Sequence, residues 1–389
     1  MQTDQKRLIL IALLLLALVL RVAYWQIEFP DFIYFLDPWL NELRVRGPSI
    51  IGTQFAYANY HPPYLYIIWF FSLFVPDNIS VIKLVGLLGD IALAGAVYGI
   101  VRQILPQRPL RATIGAVLVL CLPTVLFNSA VWGQCDAIYS AFLLYAVLMV
   151  LKKKLQWAWI MFAVAVSFKT QGLFLLPFMG FVTFYHRQWR TVLYGVVAGA
   201  MLLGMPIVFG VPAEGLIGYY MKDFQPMWGV LRLSWWCPNL MSWLPNEQYG
   251  AWRAVGLVLF GGLLLMACYA GWRRFALSRD SVALVALAAL SCMAATFVLP
   301  QVHGRYYFPA EILLLVLVLL KFWSWWPVMV IQLTTMTALV AYFVTDASDD
   351  MWPYRVLSVP MALVVGYLIF TLTQYNARGI INHTSEGKE

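Results

Sequence analysis

The sequence has few charged residues: Asp, Glu, Lys and Arg together make up only 11% of the 389 residues. A soluble domain is about one-quarter charged, so this scarcity excludes an ordinary soluble protein. Hydrophobic residues make up 62% of the chain, and the mean hydropathy is +0.77. The apolar runs are long and lack the alternation of membrane β-strands, which excludes a barrel as well. The sequence therefore predicts an all-α, polytopic integral membrane protein.

Cysteine and histidine are also scarce, with five and four residues respectively. No CxxC spacing is present and the cysteines lie mostly in apolar runs, so we expect buried free thiols and neither a metal site nor a cofactor. The net charge is +8. In a membrane protein this reflects cytoplasmic loops and contact with anionic membrane lipids, so no nucleic-acid partner is implied. The first apolar run is too long for a signal peptide and should remain as the first span.

Apolar length predicts about twelve transmembrane helices in one integral membrane domain, residues 1–389. The predicted spans are 8–27, 80–102, 110–127, 136–151, 155–168, 171–186, 189–211, 251–272, 281–299, 306–321, 324–344 and 357–375.

With these spans, every strong cluster of Lys and Arg falls on one side, including residues 152–154 and 273–274. The positive-inside rule then places both termini in the cytoplasm. Two long segments, 28–79 and 212–250, become external loops. Within the first loop, residues 61–74 are too short for a span, begin with two prolines after His61, and are rich in aromatic residues, which indicates an interfacial helix. The second loop resembles an aromatic-lined cap.

Polar residues in this chain gather at the external ends of the predicted spans. A charge near the bilayer rim is costly, so several at one level suggest a shared function. The set combines carboxylates with cations and amides, as an enzyme acting on a phosphate-bearing substrate requires. These residues include Asp31, Asp37, His61, Trp132, Gln134, Asp136, Lys169, Gln171, Asn239, His303, Arg305 and Tyr306.

Two acids follow the first span. Asp31 is a candidate general base that would deprotonate an acceptor hydroxyl; a helix N-cap is the structural alternative. Asp37 directly precedes Pro38, so an N-cap is the favoured interpretation there, with a catalytic role as the runner-up.

The cations also allow two interpretations. Lys169 could bind a phosphate as a point charge, or its side chain could extend to the lipid headgroups. Gln171 could donate to the same anion or to a sugar. His303, Arg305 and Tyr306 open a late span, where Arg suits a phosphate and Tyr could belong to an interfacial aromatic belt.

The segment 128–136 joins two predicted spans. Gln134 and Asp136 could orient a sugar or Lys169, with Trp132 nearby, and a tight turn with a helix cap is the plain alternative. His61 and Asn239 are further candidates for contact with sugar or acceptor. Asp90 lies inside the second span, where an acid is expensive unless it is paired, and we expect a structural partner for it.

Five stretches, in chain order, resemble the multi-span glycosyltransferases of the C superfamily (GT-C fold). They are DFIYFLDPWLNELRVRG, YHPPYLYIIW, NSAVWGQCDAIYSAFLL, SFKTQGLFLLP and VHGRYYFPAE. The resemblance covers most of residues 1–320. Within the superfamily, the sequence is most similar to bacterial enzymes that use polyprenyl-phosphate-sugar donors.

The resemblance implies an inverting transfer of a hexose to an acceptor hydroxyl on a glycan or lipid-linked molecule. It implies the external face of a bacterial cytoplasmic membrane and maps the base to Asp31 rather than Asp37. It maps a phosphate-contact stretch to residues 303–306, where Gly304 replaces the acid that is usual in the family. Members of this superfamily often need no metal, and the lack of an obvious pair of acids in this sequence agrees with that.

Two other classes of protein compete with an enzyme. A twelve-span secondary transporter or lipid-carrier flippase matches the span number, but such proteins place polar residues near mid-membrane and contain repeats, and no repeat is found here. A structural subunit of an envelope complex would not need acidic and basic residues gathered at one side of the membrane, so the observed gathering favours an enzyme over this class.

Overall fold

The structure is a computed structural model that describes residues 2–53, 58–221, 230–278, 281–321, 323–344 and 351–374. Contacts divide the chain into two compact units. The N-terminal unit comprises Met1–Leu176 and His186–Leu231, and the C-terminal unit comprises Pro177–Tyr185 and Arg232–Glu389. The sequence did not predict this division, and the prediction of one integral membrane domain stays a prediction.

Helices account for nearly all of the regular structure in the N-terminal unit. Its α-helices are α1 (Gln2–Ala23), α2 (Asp37–Arg46), α3 (Pro62–Ser72), α4 (Asn78–Ile104), α5 (Pro109–Cys121), α6 (Pro123–Leu126), α7 (Asp136–Leu151), α8 (Leu155–Phe168), α10 (Val192–Leu203), α11 (Met205–Val208) and α12 (Ala213–Met221). Two π-helices, Phe32–Leu36 and Phe127–Trp132, interrupt this pattern next to the predicted site residues.

The C-terminal unit is also helical and contains one small parallel strand pair. Helix α9 (Leu176–His186) lies mostly in this unit. The strands are β1 (Ser234–Trp235) and β2 (Val302–His303). The remaining helices are α13 (Tyr249–Ser278), α14 (Ser281–Val298), α15 (Phe308–Leu319), α16 (Trp326–Val344) and α17 (Trp352–Gln374).

The all-α class predicted from composition is confirmed, and a helix occupies each of the twelve predicted span positions. By length and composition, five described helices can cross a membrane, or up to six if a bent pair counts as one span. Those five are Asn78–Ile104, Asn246–Leu265, Ser281–Val298, Trp326–Val344 and Trp352–Thr373. The number twelve, the sidedness and the external loops stay predictions.

Helix breaks explain why several spans are short. The chain bends by 50° between Pro109–Cys121 and Pro123–Trp132, where Pro123 cannot continue the preceding helix. Helix α8 ends at Phe168, and Lys169 is extended with φ −159° and ψ 132°. A 3₁₀ turn, Thr170–Leu175, follows before α9. Helix α3 has only 11 residues, about 17 Å of rise, too short to cross a hydrocarbon core of about 30 Å.

Buried charges hold α1 against its neighbours. Arg21 Nη2 lies 2.7 Å from Asp90 Oδ2, and both side chains are almost completely buried. Arg21 also donates to the carbonyl of Leu120 in α5, at 3.0 Å. The structural partner expected for Asp90 is therefore present. The opposite face of α1 exposes leucines such as Leu15 and Leu16, which is typical of a lipid-facing helix.

Some predictions concern residues outside the described part of the chain. These residues are 54–57 of the first predicted external loop, 222–229 of the second, the C-terminal residues 375–389, and the side chains of Cys268, Arg273 and Arg274. The four cysteines whose side chains are described are free thiols.

Candidate functional site

Asp31 lies in a helical stretch that leads into the first π-helix. Its backbone is helical, with φ −61° and ψ −34°, and its side chain makes no capping hydrogen bond. The N-cap alternative for Asp31 is therefore wrong. Instead, the Nε2 group of Gln134 donates to Asp31 Oδ2 at 2.7 Å. Asp31 is half-buried, so its carboxylate is oriented by the protein and still accessible.

Asp37 is held in a different way. It begins α2 with helical backbone angles and makes no capping hydrogen bond, so the cap interpretation of Asp37 is also wrong. Its two oxygens accept from the side-chain amides of Asn78, at 2.8 Å, and Asn41, at 2.9 Å. Arg44 donates to Asn78 Oδ1 at 2.8 Å and to the carbonyl of Val75, three residues after α3, at 2.7 Å, and so connects this group to the segment that follows α3. Asp37 thus belongs to a network that fixes local structure.

A left-handed turn delivers Gln134. Gly133 ends the second π-helix with φ +77° and ψ 31°, a conformation that favours glycine. The backbone N–H of Gln134 then donates to the carbonyl of Asn128 at 2.8 Å. The tight turn that the sequence suggested is present.

Lys169 and Asp136 form a buried ion pair. Lys169 Nζ contacts Asp136 Oδ1, and these side chains are 10% and 0% exposed. The side-chain amide of Asn128 donates to the other oxygen of Asp136 at 2.7 Å. The ammonium therefore turns inward instead of extending to the headgroups. Of the two roles considered for Asp136, this geometry favours orienting Lys169.

Tyr60 connects the two carboxylate groups. Its hydroxyl donates to Gln134 Oε1 at 2.6 Å, and Lys169 Nζ lies 5.5 Å from its ring centroid. A continuous network thus joins Asp31, Gln134, Tyr60, Lys169, Asp136 and Asn128. A chain of this kind fixes each side chain through the next one.

Tyr64 is an aromatic neighbour of this network and is protected from ionisation. The ring of Tyr64 lies 5.1 Å from that of Tyr60. Burial raises the pKa of Tyr64 well above its usual 10, and electrostatic interactions with Cys135 and Asp136 raise it further. The phenol of Tyr64 is therefore neutral at physiological pH.

Three further candidates lie within two residues of network members in the sequence. His61 is buried, and its Nδ1 lies 3.2 Å from the carbonyl of Ser167. Because a carbonyl only accepts, this contact places a proton on Nδ1. Trp132 is 2% exposed inside the π-helix. Gln171 is half-buried, and its Oε1 makes no hydrogen bond within the described residues. Direct sugar contact by any of the three stays a prediction.

In the C-terminal unit, the short strand pair organises the other predicted residues. Ser234 pairs with Val302 and Trp235 with His303. The N–H of Gln301 donates to the carbonyl of Leu233 at 2.8 Å. His303 Nδ1 accepts from the N–H of Arg305 at 3.3 Å. The neutral imidazole therefore carries its proton on Nε2.

Aromatic rings pack around His303. The ring of Tyr342 lies 5.4 Å from that of His303 and 4.9 Å from that of Trp236. Arg305 lies 6.0 Å from the ring of Tyr306. Trp236 adopts φ +50°, unusual for a bulky residue. Such strain often accompanies a functional site.

Two more residues of this unit have evident structural roles. Asn239 is fully buried, and its Oδ1 accepts from the N–H of Ser242 at 3.1 Å, which caps a 3₁₀ turn. Gly304 packs against the main chain: a Cβ added there would lie 3.0 Å from the carbonyl oxygen of Trp236. This close approach leaves little room for any side chain larger than glycine at position 304.

The structure brings together Asp31, Gln134, Asp136 and Lys169 within the N-terminal unit. Within the C-terminal unit it groups His303, Arg305 and Tyr306. The prediction that Lys169 shares one phosphate with His303 and Arg305 stays a prediction. Within the described residues, no three His, Cys, Asp or Glu side chains are grouped closely enough to hold a metal.

Sequence reasoning missed Tyr60 and Asn128, which belong to the network, and Lys83, which donates to the backbone carbonyls of Ala130 and Val131 shortly before Gly133. Tyr60 and Asn128 belong to the quoted YHPPY and NSAVWGQCD stretches. Their position inside these stretches was the one feature of the sequence that could have marked them as site residues. Lys83 lies a few residues inside a predicted span, and an ionisable residue in that position is itself a signal of function.

Comparison with known proteins supports the fold. Neither a protein-family model nor a curated protein sequence matches the chain. The crystal structure of ArnT from Cupriavidus metallidurans bound to undecaprenyl phosphate matches with a TM-score of 0.57 and 12% identity, over 96% of this chain and 78% of that one. The apo structure of the same protein matches with a TM-score of 0.53 and 14% identity, over the same shares of 96% and 78%. The chain is thus a multi-pass membrane protein with the GT-C fold, as the sequence resemblance implied.

Proposed function

We propose that this chain is an inverting glycosyltransferase that moves a hexose from a polyprenyl-phosphate donor to an acceptor hydroxyl. We place the reaction at the external face of a bacterial cytoplasmic membrane. The acceptor would be a glycan or a lipid-linked molecule. The observation that carries the proposal is the hydrogen bond between Gln134 and the half-buried carboxylate of Asp31.

Asp31 acts as the general base. A carboxylate can accept several hydrogen bonds, so an acceptor hydroxyl can donate to Asp31 while Gln134 does the same. In the transition state the hydroxyl proton moves to Asp31 and the oxygen attacks the anomeric carbon. The bond to the phosphate breaks on the opposite face of the sugar, which inverts the configuration. The phosphate leaves as an anion and needs no strong general acid.

Fixed positive charge stabilises the phosphate as it leaves. Lys169 is one proposed contact. Asp136 and the ring of Tyr60 hold its ammonium in place, so the cation needs little reorganisation when the donor binds. Within the C-terminal unit, Arg305, with a planar fork suited to phosphate oxygens, and His303, with a proton on Nε2, stay the phosphate contacts that the sequence predicts. Tyr306 flanks Arg305.

An apolar groove in the N-terminal unit suits the lipid part of the donor. A cavity of about 290 Å³ lies between α8 and α10, and Phe162, Val166, Val196 and Leu203 are among the residues that line it. Ser167 lines the same groove and precedes Lys169 by two residues. We propose that isoprenoid units of the donor lie in this groove. The described parts of the aromatic segments 54–74 and 219–243 would stack on sugar rings.

The test is Asp31→Asn, assayed for transfer with a panel of undecaprenyl-phosphate hexoses and envelope glycans. We expect transfer to fall by about 10²–10⁴-fold, the usual contribution of a general base. Binding of undecaprenyl phosphate should stay within about twofold, because Asp31 is not proposed to contact it. Asp37→Asn is the matched control, and it should retain most activity.

Two results would contradict this proposal. Undiminished turnover by Asp31→Asn would show that Asp31 is not the general base. A wild-type protein that moves the lipid-linked sugar across vesicle membranes but transfers none would instead be a lipid carrier.

A further inference from the structure

Lys83 is a buried cation that the proposed reaction does not use. It lies in α4 and is 2% exposed. Its ammonium donates to the carbonyl of Ala130 at 2.7 Å and to that of Val131 at 2.8 Å. Two short bonds from one charged donor make a strong anchor, since hydrogen bonds from a charged group are about twice as strong as neutral ones.

The two carbonyls belong to the last turn of the second π-helix, Phe127–Trp132. The final carbonyls of a helix lack partners within the helix and form its negative pole. A cation at this end donates hydrogen bonds to the unpaired carbonyls and also balances the negative pole of the helix. Gly133 and Gln134 follow the π-helix directly, so the two anchored carbonyls lie four and three residues before Gln134, whose side chain orients Asp31.

Other residues on the same face of α4 hold the same segment. Asp90 Oδ2 accepts from the hydroxyl of Ser129 at 2.6 Å. Gly86 lets the π-helix approach closely: a Cβ at that position would lie 3.2 Å from Ser129 Cβ and 3.6 Å from the carbonyl oxygen of Gln134. Lys83, Gly86 and Asp90 have the spacing of one helical face, and they contact three consecutive residues, 129–131, from that face.

We propose that Lys83 is a positioning residue for the general base, an inference that rests on the function proposed above. Lys83 fixes the end of the π-helix, the turn at Gly133 then fixes Gln134, and Gln134 orients the carboxylate of Asp31. Lys83 does not act on the substrate. It sets the position of the base, and a displacement of about 1 Å at such a site can cost about 10²-fold in rate.

The experiment compares Lys83→Met with Lys83→Arg in the full-length protein in lipid nanodiscs. Lys83→Met keeps the bulk of the stem but removes the charge, whereas Lys83→Arg keeps a cation that can donate to both carbonyls. Lys152→Met, at an exposed lysine after α7, is the control. Turnover uses the donor and acceptor that the wild type accepts, and binding uses undecaprenyl phosphate alone.

We expect Lys83→Met to lower kcat by about 10–100-fold and to change the Kd for undecaprenyl phosphate by less than about twofold. Lys83→Arg should recover most of the kcat, and Lys152→Met should match the wild type. A merely structural role would reduce the yield of folded protein and leave the kcat per folded molecule unchanged. That result would overturn the proposal.

Two further measurements separate this inference from the proposed function. If the wild type transfers no sugar, the function fails, and hydrogen exchange decides the role of Lys83. Faster amide exchange of Gln134 in Lys83→Met, with α8 unchanged, supports the anchor, and unchanged exchange overturns it. If Lys83→Met does not fold, Gly86→Ala replaces it. That variant should displace Ser129 and lower kcat in the same way, and an unchanged kcat would contradict the anchor.

Discussion

The N-terminal and C-terminal units hold their candidate residues by different physical means. In the N-terminal unit, Asp31, Gln134, Asp136 and Lys169 are tied to one another by hydrogen bonds and a buried ion pair. In the C-terminal unit, His303 and Arg305 are held by backbone bonding and by aromatic rings, with a strained tryptophan among them.

The difference has a physical consequence. A hydrogen-bonded network fails when one partner is removed, because the group left behind is buried without compensation. A packed aromatic cluster loses energy in proportion to the contact area lost and tolerates changes that keep the ring. The two units should therefore respond differently to equally small substitutions.

The largest effect should follow from breaking the buried pair of Lys169 and Asp136. Lys169→Met leaves the carboxylate of Asp136 buried without its cation. Removal of one partner of such a pair costs about 3–5 kcal/mol. We expect the free energy of unfolding to fall by this amount, measured by SDS-induced unfolding in mixed micelles.

A matched control uses the exposed pair of Arg46 and Glu42, at 3.0 Å in the same unit. Arg46→Met should cost less than about 1 kcal/mol, since an exposed pair is screened by water. The double variant Lys169→Met with Asp136→Asn should recover most of the stability and none of the activity. Equal losses for the buried and the exposed pair would contradict this interpretation of the network.

A smaller effect is expected at Gly304 in the C-terminal unit. Gly304→Ala places a Cβ 3.0 Å from the carbonyl oxygen of Trp236, so the backbone there must shift. Overpacking of this kind costs about 1–3 kcal/mol. Gly304→Asp should cost more, because its carboxylate adds repulsion against the carbonyl oxygen.

The control for Gly304 is Gly366→Ala in α17, where no atom lies within 4 Å of the added Cβ. That change should raise the free energy of unfolding by about 0.5–1 kcal/mol, because alanine is the better helix former. A stable Gly304→Asp protein would mean that the close approach at Trp236 does not explain the glycine.

The sequence was enough to predict the helical class and the location of the helices, because apolar length is a strong signal that survives tertiary packing. It was also enough to bring Asp31, Gln134, Asp136 and Lys169 into one hypothesis. The cap favoured at Asp37 is absent because the chain enters α2 through a π-helix. A π-helix depends on tertiary contacts and has no short motif.

Other parts of the site have no signal in a single sequence. The partners of Lys83 are backbone carbonyls 47 and 48 residues away, and a carbonyl is present at every residue. Tyr60 resembles its many aromatic neighbours until the structure shows which hydroxyl faces Gln134. Long-range partners of this kind depend on how the helices pack, and helix packing is encoded by many residues at once.

The smallest effect should come from removing one hydroxyl. Tyr60→Phe deletes the donor to Gln134 but keeps the ring that faces Lys169. A typical hydrogen bond contributes about 1 kcal/mol, so we expect the free energy of unfolding to fall by about that amount. Turnover should fall more than stability predicts, because Gln134 also orients Asp31. Tyr60→Leu also removes the ring and should weaken binding of undecaprenyl phosphate. Identical behaviour of the Phe and Leu variants would mean that the ring contact with Lys169 contributes nothing, and the network would then rest on its hydrogen bonds alone.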